Sequence, residues 1–121
     1  MKTNTANIVN ILGTVYGIYY LSEEEDEKLK NVDGYTDFST KDIVIDVTET
    51  DNVMRIADIE SYRKKVLRHE IIHAFMYESG LDCNASWSLL DTDNGQPEQI
   101  VDWIAIQFSK ILKVFNELDL L

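Results

Sequence analysis

The first half of the chain is dominated by β-branched and aromatic residues, whereas apolar residues in the second half recur at helical spacing. Residues 8–21 are rich in Ile, Val, Tyr and Leu and are interrupted by Gly13 and Gly17, which predicts one long bulged strand or a hairpin. Residues 35–38 can pair with the segment that follows them, and Ile43–Val47 is the clearest strand in the sequence. These patterns predict a sheet in the N-terminal half.

Two long helices are predicted after the strands. Between Asp58 and Ser79 apolar residues recur every three or four positions, with Asp58 as a reasonable N-cap and Gly80 as a helix stop. Residues 81–96 are rich in turn formers and predict a loop, and Pro97 suits a first helical position. The second helix is predicted from an apolar stripe, which comprises Ile100, Val101, Ile104, Ala105, Phe108, Ile111, Leu112 and Phe115. The predicted fold is therefore α+β, a single domain over residues 1–121 with a mostly antiparallel N-terminal sheet and two following helices.

The charge balance excludes two classes of partner. The chain has 22 acidic and 11 basic residues and a net charge of −11. Binding to nucleic acid or to an anionic membrane surface depends on Lys and Arg, so neither partner is expected. The single cysteine, Cys83, forms no internal disulfide, and no apolar run is long enough to span a membrane or to form a secretory leader. We expect a cytoplasmic protein.

The candidate chemistry lies in the first long helix, in the segment His69-Glu70-Ile71-Ile72-His73. Residues four apart on an α-helix project to the same side, so both imidazoles can reach one ion at about 2.0–2.1 Å, the usual Zn–N distance. Glu70 follows the first histidine and can act as a general base without being a ligand. With only two histidines in the chain, this arrangement arises by chance about once in a thousand. The pattern predicts one Zn²⁺ ion and metal-assisted hydrolysis.

A catalytic zinc usually has three protein ligands, and no third histidine exists here. Glu98 and Asp102 stand out because they lie one turn apart at the start of the second helix. One can bind the metal while the other accepts the spare N–H of a ligand histidine. The candidates downstream of the histidine pair are Glu78, Asp82, Cys83, Asp91, Asp93, Glu98 and Asp102.

The histidine pair followed by Glu98-x-x-x-Asp102 resembles the gluzincin branch of the zincin metallopeptidases. The segment from His69 to Leu81 also resembles small phage- or prophage-encoded HExxH proteins and the minimal gluzincins, and it is more loosely similar to the ImmA/IrrE-type metallopeptidases. The resemblance covers residues 42–112 in element order and is specific only at the motif residues.

This resemblance implies a small zinc metallopeptidase that hydrolyses a peptide or protein substrate. It implies that His69, His73 and Glu98 hold the zinc, that Glu70 activates the water, and that Asp102 orients His69. It further implies that residues 43–47 form the edge strand that pairs with an extended substrate.

Larger gluzincins also provide a His or Tyr that stabilises the oxyanion, and here no histidine remains for that role. Tyr35, Tyr62 and Tyr77 are candidates, although tyrosines at such positions are more often part of a core, and the residue is left unassigned. The alternative function is an acidic binding or decoy protein that keeps the zincin fold, with the metal structural or absent.

Overall fold

The architecture is described from a computed structural model. It describes residues 5–49, 56–81, 92–93 and 96–121, and the side chains of residues 5–6, 92–93 and 96–98 are outside the description. In element order the chain forms β1 (Thr5–Ile11), β2 (Thr14–Leu21), a 3-10 turn (Glu27–Lys30), β3 (Gly34–Asp37), β4 (Asp42–Asp46), α1 (Ile59–Glu78) and α2 (Glu98–Glu117). Residues 92–93 and 96–97 pair as a minimal hairpin before α2. The α+β prediction is confirmed.

The four main strands form one sheet in the order β1-β2-β4-β3. β1 with β2 and β3 with β4 are antiparallel, whereas β2 and β4 are parallel. The hairpin alternative for residues 8–21 is the correct one. Leu12 and Gly13 connect its strands with φ values of 53° and 100°, the left-handed conformation that a tight two-residue hairpin turn requires. The Asn10 side chain closes this turn by accepting a 2.7 Å hydrogen bond from the Gly13 N–H.

The expectation that residues 43–47 form the edge strand is wrong. β4 lies between β2 and β3 and is therefore an inner strand. Ile43, Val44 and Ile45 are all completely buried, because helix α1 covers one face of the sheet and the segment containing Leu29 covers the other. A strand buried on both faces has a continuous apolar run rather than an alternating one, which is the pattern seen here.

Helix α1 lies across the sheet with the boundaries that the sequence predicts. The Asp58 side chain caps its first turn by accepting a 3.1 Å hydrogen bond from the Ser61 N–H, and Gly80 follows its end with a φ of 84°. The buried residues of the helix are Val66, Leu67, Glu70, Ile71, Ala74 and Phe75. The other residues of the helix, including the two histidines, lie nearer to solvent.

The approach of α1 to β3 depends on a glycine. A Cβ atom at Gly34 would lie 2.8 Å from the Val44 carbonyl oxygen and 3.0 Å from the Val66 side chain. A side chain here would therefore push the strand and the helix apart. Gly34 thus allows β3 to lie directly against the helix that carries the histidines.

The C-terminal end of α1 is attached to the sheet through Glu78. Its carboxylate accepts hydrogen bonds from Thr14 Oγ1 at 2.8 Å and from Tyr16 Oη at 2.6 Å, and it pairs with Lys41 Nζ at 3.1 Å. Burial raises the pKa of Glu78, but the hydrogen bonds from Tyr16, Thr14 and Lys41 outweigh it, so the net pKa is lowered. The carboxylate is stabilised in its charged form, and α1 is fixed against β2 and the β3–β4 turn.

Only part of the predicted stripe on α2 is buried. Ile111 and Phe115 join the core together with Val114, but Val101, Ile104 and Phe108 are about half exposed. The N-terminal half of α2 therefore extends beyond the sheet, although its sequence pattern is that of a buried helix. Neither described helix has the length and apolar character needed to cross a bilayer.

Candidate metal centre

The two histidines form a close pair on the exposed side of α1. The Nε2 atoms of His69 and His73 are 3.1 Å apart, and the rings meet nearly edge to face, with centroids 4.8 Å apart and an angle of 72°. Both side chains are exposed. The helix therefore brings one ring nitrogen of each histidine to the same point at the surface, as the four-residue spacing predicts.

The separation of the two nitrogen atoms is close to what zinc requires. Two nitrogens that each lie about 2.0–2.1 Å from one zinc at a tetrahedral angle are about 3.3–3.4 Å apart. The observed 3.1 Å needs only a small opening of the pair. The same distance also allows one Nε2–H to donate a hydrogen bond to the other nitrogen. The geometry of the pair suits a shared cation, and the two rings can also form a direct hydrogen bond when no cation is bound.

Glu70 lies beside the pair but in a different environment. Its side chain is only 7% exposed, and its Oε1 atom accepts a 2.8 Å hydrogen bond from the Thr36 hydroxyl on β3. The Thr36 oxygen is also 3.3 Å from the Glu70 backbone carbonyl oxygen. One carboxylate oxygen is thus hydrogen-bonded to the sheet, which fixes the side chain. The other oxygen is left to accept a proton or a hydrogen bond.

A surface cleft of about 320 Å³ opens beside His69 and Glu70. Its other walls come from the segment before β3, from the start of β3 and from the first turns of α1: they are Val32, Asp33, Gly34, Tyr62, Lys65 and Val66. β3 is an edge of the sheet in the part of the chain that the structure describes, so an extended segment could lie along this cleft. Both β3 and β4 pack against the histidine helix, and the edge strand beside it is β3, in the place that the sequence analysis gives to residues 43–47.

The three tyrosines considered for the oxyanion lie in different surroundings. Tyr62 faces this cleft and donates a hydrogen bond to the Asp33 carboxylate, which together with burial raises the pKa of Tyr62. Tyr77 stacks on Phe38 with ring centroids 4.4 Å apart. Tyr35 packs on the opposite face of the sheet and donates to Asp26. Tyr62 is thus the one of the three that lines the cleft beside Glu70, with its hydroxyl directed to Asp33.

The two helices run antiparallel, and this limits what α2 brings to the histidines. Arg68 of α1 donates a 2.6 Å hydrogen bond to the Leu120 carbonyl oxygen, whereas Ser79 accepts one of 2.9 Å from the Trp103 indole. The C-terminal end of α2 therefore lies near the middle of α1, and Trp103 lies near the end of α1. Glu98 precedes Trp103 by five residues, about 7.5 Å of helix, in the direction away from the histidines.

The described side chains accordingly do not place a predicted acidic residue beside the histidine pair. Glu98 begins α2, but its side chain lies outside the description. Asp102 is exposed, and none of the described hydrogen bonds joins it to His69. Glu78 is engaged by Thr14, Tyr16 and Lys41 and is not available as a ligand.

The remaining candidate ligands lie in the loop between the helices. Asp82, Cys83 and Asp91 are outside the described residues, as is the side chain of Asp93. Within the described ranges, no group of three or more His, Cys, Asp or Glu side chains is placed to hold a metal ion. Of the predicted centre, the two histidines and Glu70 are the residues that the structure shows next to one another.

The contribution of Thr36 is the feature that the sequence analysis missed. Alternation along β3 places Thr36 on the same side as Gly34, and Gly34 faces α1. Recognising the contact in advance would have needed the register between the strand and the helix, which sequence periodicity does not contain. A comparison with protein-family models, with curated proteins and with solved structures finds no significant match for this chain.

Proposed function

We propose that this protein is a small zinc-dependent peptidase in which His69 and His73 hold the metal and Glu70 is the general base. The observation that supports the proposal most strongly is the pair of Nε2 atoms 3.1 Å apart beside a buried, hydrogen-bonded carboxylate. Burying a carboxylate costs free energy unless it is hydrogen-bonded. If the two histidines had arisen by chance, nothing would favour burying the glutamate between them and bonding it to the sheet. The cysteine content favours a cytosolic location.

Glu70 carries the proton transfer in this mechanism. Its Oε1 atom is occupied by Thr36, so the second oxygen takes a proton from the attacking water and later gives it to the leaving amine. A zinc ion held by the histidines supplies the Lewis acid that polarises the substrate carbonyl and lowers the pKa of water. Tyr62 lines the same cleft, but its hydroxyl donates to Asp33, so the donor to the developing oxyanion stays unassigned.

The third protein ligand is proposed to come from residues 82–98. The family resemblance favours Glu98, whereas the antiparallel helices place the start of α2 away from the histidines, so Asp82, Cys83, Asp91 and Asp93 are candidates of equal standing. Zinc content separates them, because removing a ligand lowers metal affinity whereas removing a neighbour does not. Single Glu98→Gln, Asp82→Asn, Asp91→Asn, Asp93→Asn and Cys83→Ser variants should be compared after dialysis against a weak chelator. Loss of zinc from a variant other than Glu98→Gln would reassign the ligand and leave the histidine site in place.

The proposal is tested by separating metal binding from hydrolysis. Protein purified without added zinc should contain about one ion per chain, and His73→Ala should lose it. Glu70→Gln should keep the zinc but cleave unfolded casein at least about a hundredfold more slowly. Glu60→Gln is the matched control, since Glu60 is an exposed acid on the same helix.

Two results would contradict the proposal. Equal cleavage rates for Glu70→Gln and Glu60→Gln would show that Glu70 is not the base. A folded protein that contains no zinc and takes none up would favour the acidic binding or decoy function, which requires no metal.

A further inference from the structure

Strand β1 is an unusually open edge of the sheet. It comprises seven residues, Thr5–Ile11, and within the described parts of the chain it pairs only with β2. Proteins commonly protect such edges with charged side chains, with proline or with a bulge. β1 has a register irregularity between Thr5 and Asn7 but contains no charged residue and no proline. Among the residues that the structure describes, no further strand pairs with its outer backbone groups, which leaves them open to another strand.

The opposite edge of the sheet provides a contrast. β3 is only four residues long, it ends at Asp37, and Asp33 immediately precedes it. A short strand with an acid at each end is a poor template for pairing with an acidic chain. The features that protect β3 are absent from β1.

The distribution of charge points to a second copy of this chain as the partner. Residues 3–22 contain no Asp, Glu, Lys or Arg, and all 22 acidic residues lie at Glu23 or beyond. Two molecules with a net charge of −11 each repel one another over most of their surfaces. The uncharged hairpin is the region where that repulsion is weakest.

The space beside β1 can admit another strand. A cleft of about 620 Å³ separates the strand from α2, with Phe75 and Val114 among its apolar walls. Lys110, Lys113 and Glu117 line its helix side. A surface that carries both signs of charge can complement itself across a two-fold axis, as the interface of a symmetric dimer must.

We propose that two copies of this protein associate through β1, edge to edge and antiparallel, so that their sheets become one continuous sheet. Ile8 supports this arrangement, since its side chain is 62% exposed on the outer face of β1. Side chains on one face of adjacent strands contact each other directly. Pairing therefore covers the two exposed Ile8 side chains as well as the open backbone edge.

The test is the molar mass in solution as a function of concentration. Sedimentation equilibrium of the full chain at micromolar concentrations and physiological salt should give twice its 14.0 kDa mass. Ile8→Lys should raise the dissociation constant at least about tenfold, because it places two like charges side by side at the edge. Asn7→Lys, also exposed on β1, should act in the same direction.

Val15→Lys is the matched control. Val15 is 54% exposed but belongs to β2, one strand away from the edge. The dimer of the Val15→Lys variant should therefore have the same dissociation constant as the parent. A monomer at all concentrations would overturn the proposal. A dimer that is weakened equally by Ile8→Lys and Val15→Lys, or by neither, would also overturn it, because the contact would not then be at the β1 edge.

Discussion

The hydrogen bond from Thr36 to Glu70 allows the positioning of the proposed base to be tested separately from the base itself. Thr36→Val removes the hydroxyl donor and keeps the size and branching of the side chain. The Glu70 carboxylate is 7% exposed, so water replaces the lost donor poorly. Thr36→Ser keeps the donor and serves as the matched control.

The expected loss of stability follows from the nature of this bond. A hydrogen bond to a charged group contributes about 1.5–3 kcal/mol. With a neighbouring cleft that admits some water, we expect Thr36→Val to lower the free energy of unfolding by about 1.5–2 kcal/mol. For a chain of this length that corresponds to a fall in Tm of roughly 5–10 °C. Thr36→Ser should lose much less.

The catalytic effect is measured on the zinc-loaded protein with a peptide substrate. A carboxylate that is no longer held should lower kcat about tenfold and leave KM unchanged, since Thr36 acts on the base rather than on the substrate. Urea unfolding gives the stability and initial rates give the kinetics. If Thr36→Val and Thr36→Ser are equally stable and equally active, the hydrogen bond does not hold Glu70 and this reasoning is refuted.

Two further predictions concern how α1 is held on the sheet. Gly34→Ala should cost about 1–3 kcal/mol in urea unfolding, because the new methyl group meets the Val44 backbone oxygen at 2.8 Å. Gly17→Ala should cost less, since its neighbour at 3.0 Å is the end of the Tyr19 side chain, which can move; equal losses would contradict the argument. The pKa of Glu78 is lowered from 4.5 in the folded protein, so its stabilising contribution is complete above that pH and is lost as the pH falls. Unfolding free energies measured from neutral to acidic pH should therefore fall less steeply for Glu78→Gln than for the parent, and parallel curves would exclude this role.

The elements that were predicted correctly are those governed by local rules. The helix caps at Asp58 and Gly80 depend on residues within one turn, and both are found where the sequence places them. The spacing of the two histidines fixes their side of the helix without reference to the rest of the fold. The hairpin turn at Gly13 also depends on a local property, a residue that accepts positive φ, but the sequence left it open beside one long bulged strand because a glycine suits both.

The errors concern features that depend on what packs against an element. The family resemblance places residues 43–47 at an edge, although burial on both faces is the ordinary explanation for the apolar run 43–45. Periodicity placed Ile104 and Phe108 on a buried stripe, but it contains no information on how far α2 extends past the sheet. The contact between Thr36 and Glu70 depends in the same way on strand-to-helix register.

The histidines project from the side of α1 opposite to Leu67, Ile71 and Phe75, which anchor the helix in the core. A zinc ion held by these histidines, as we propose, would therefore lie on a different side of the helix from the core, so that folding of the core would not require the metal. In zinc fingers, by contrast, the ion replaces a core and a chelator unfolds the chain. Under the proposed function a chelator should abolish hydrolysis and leave the helical content intact, and added zinc should restore activity to a chain that has stayed folded.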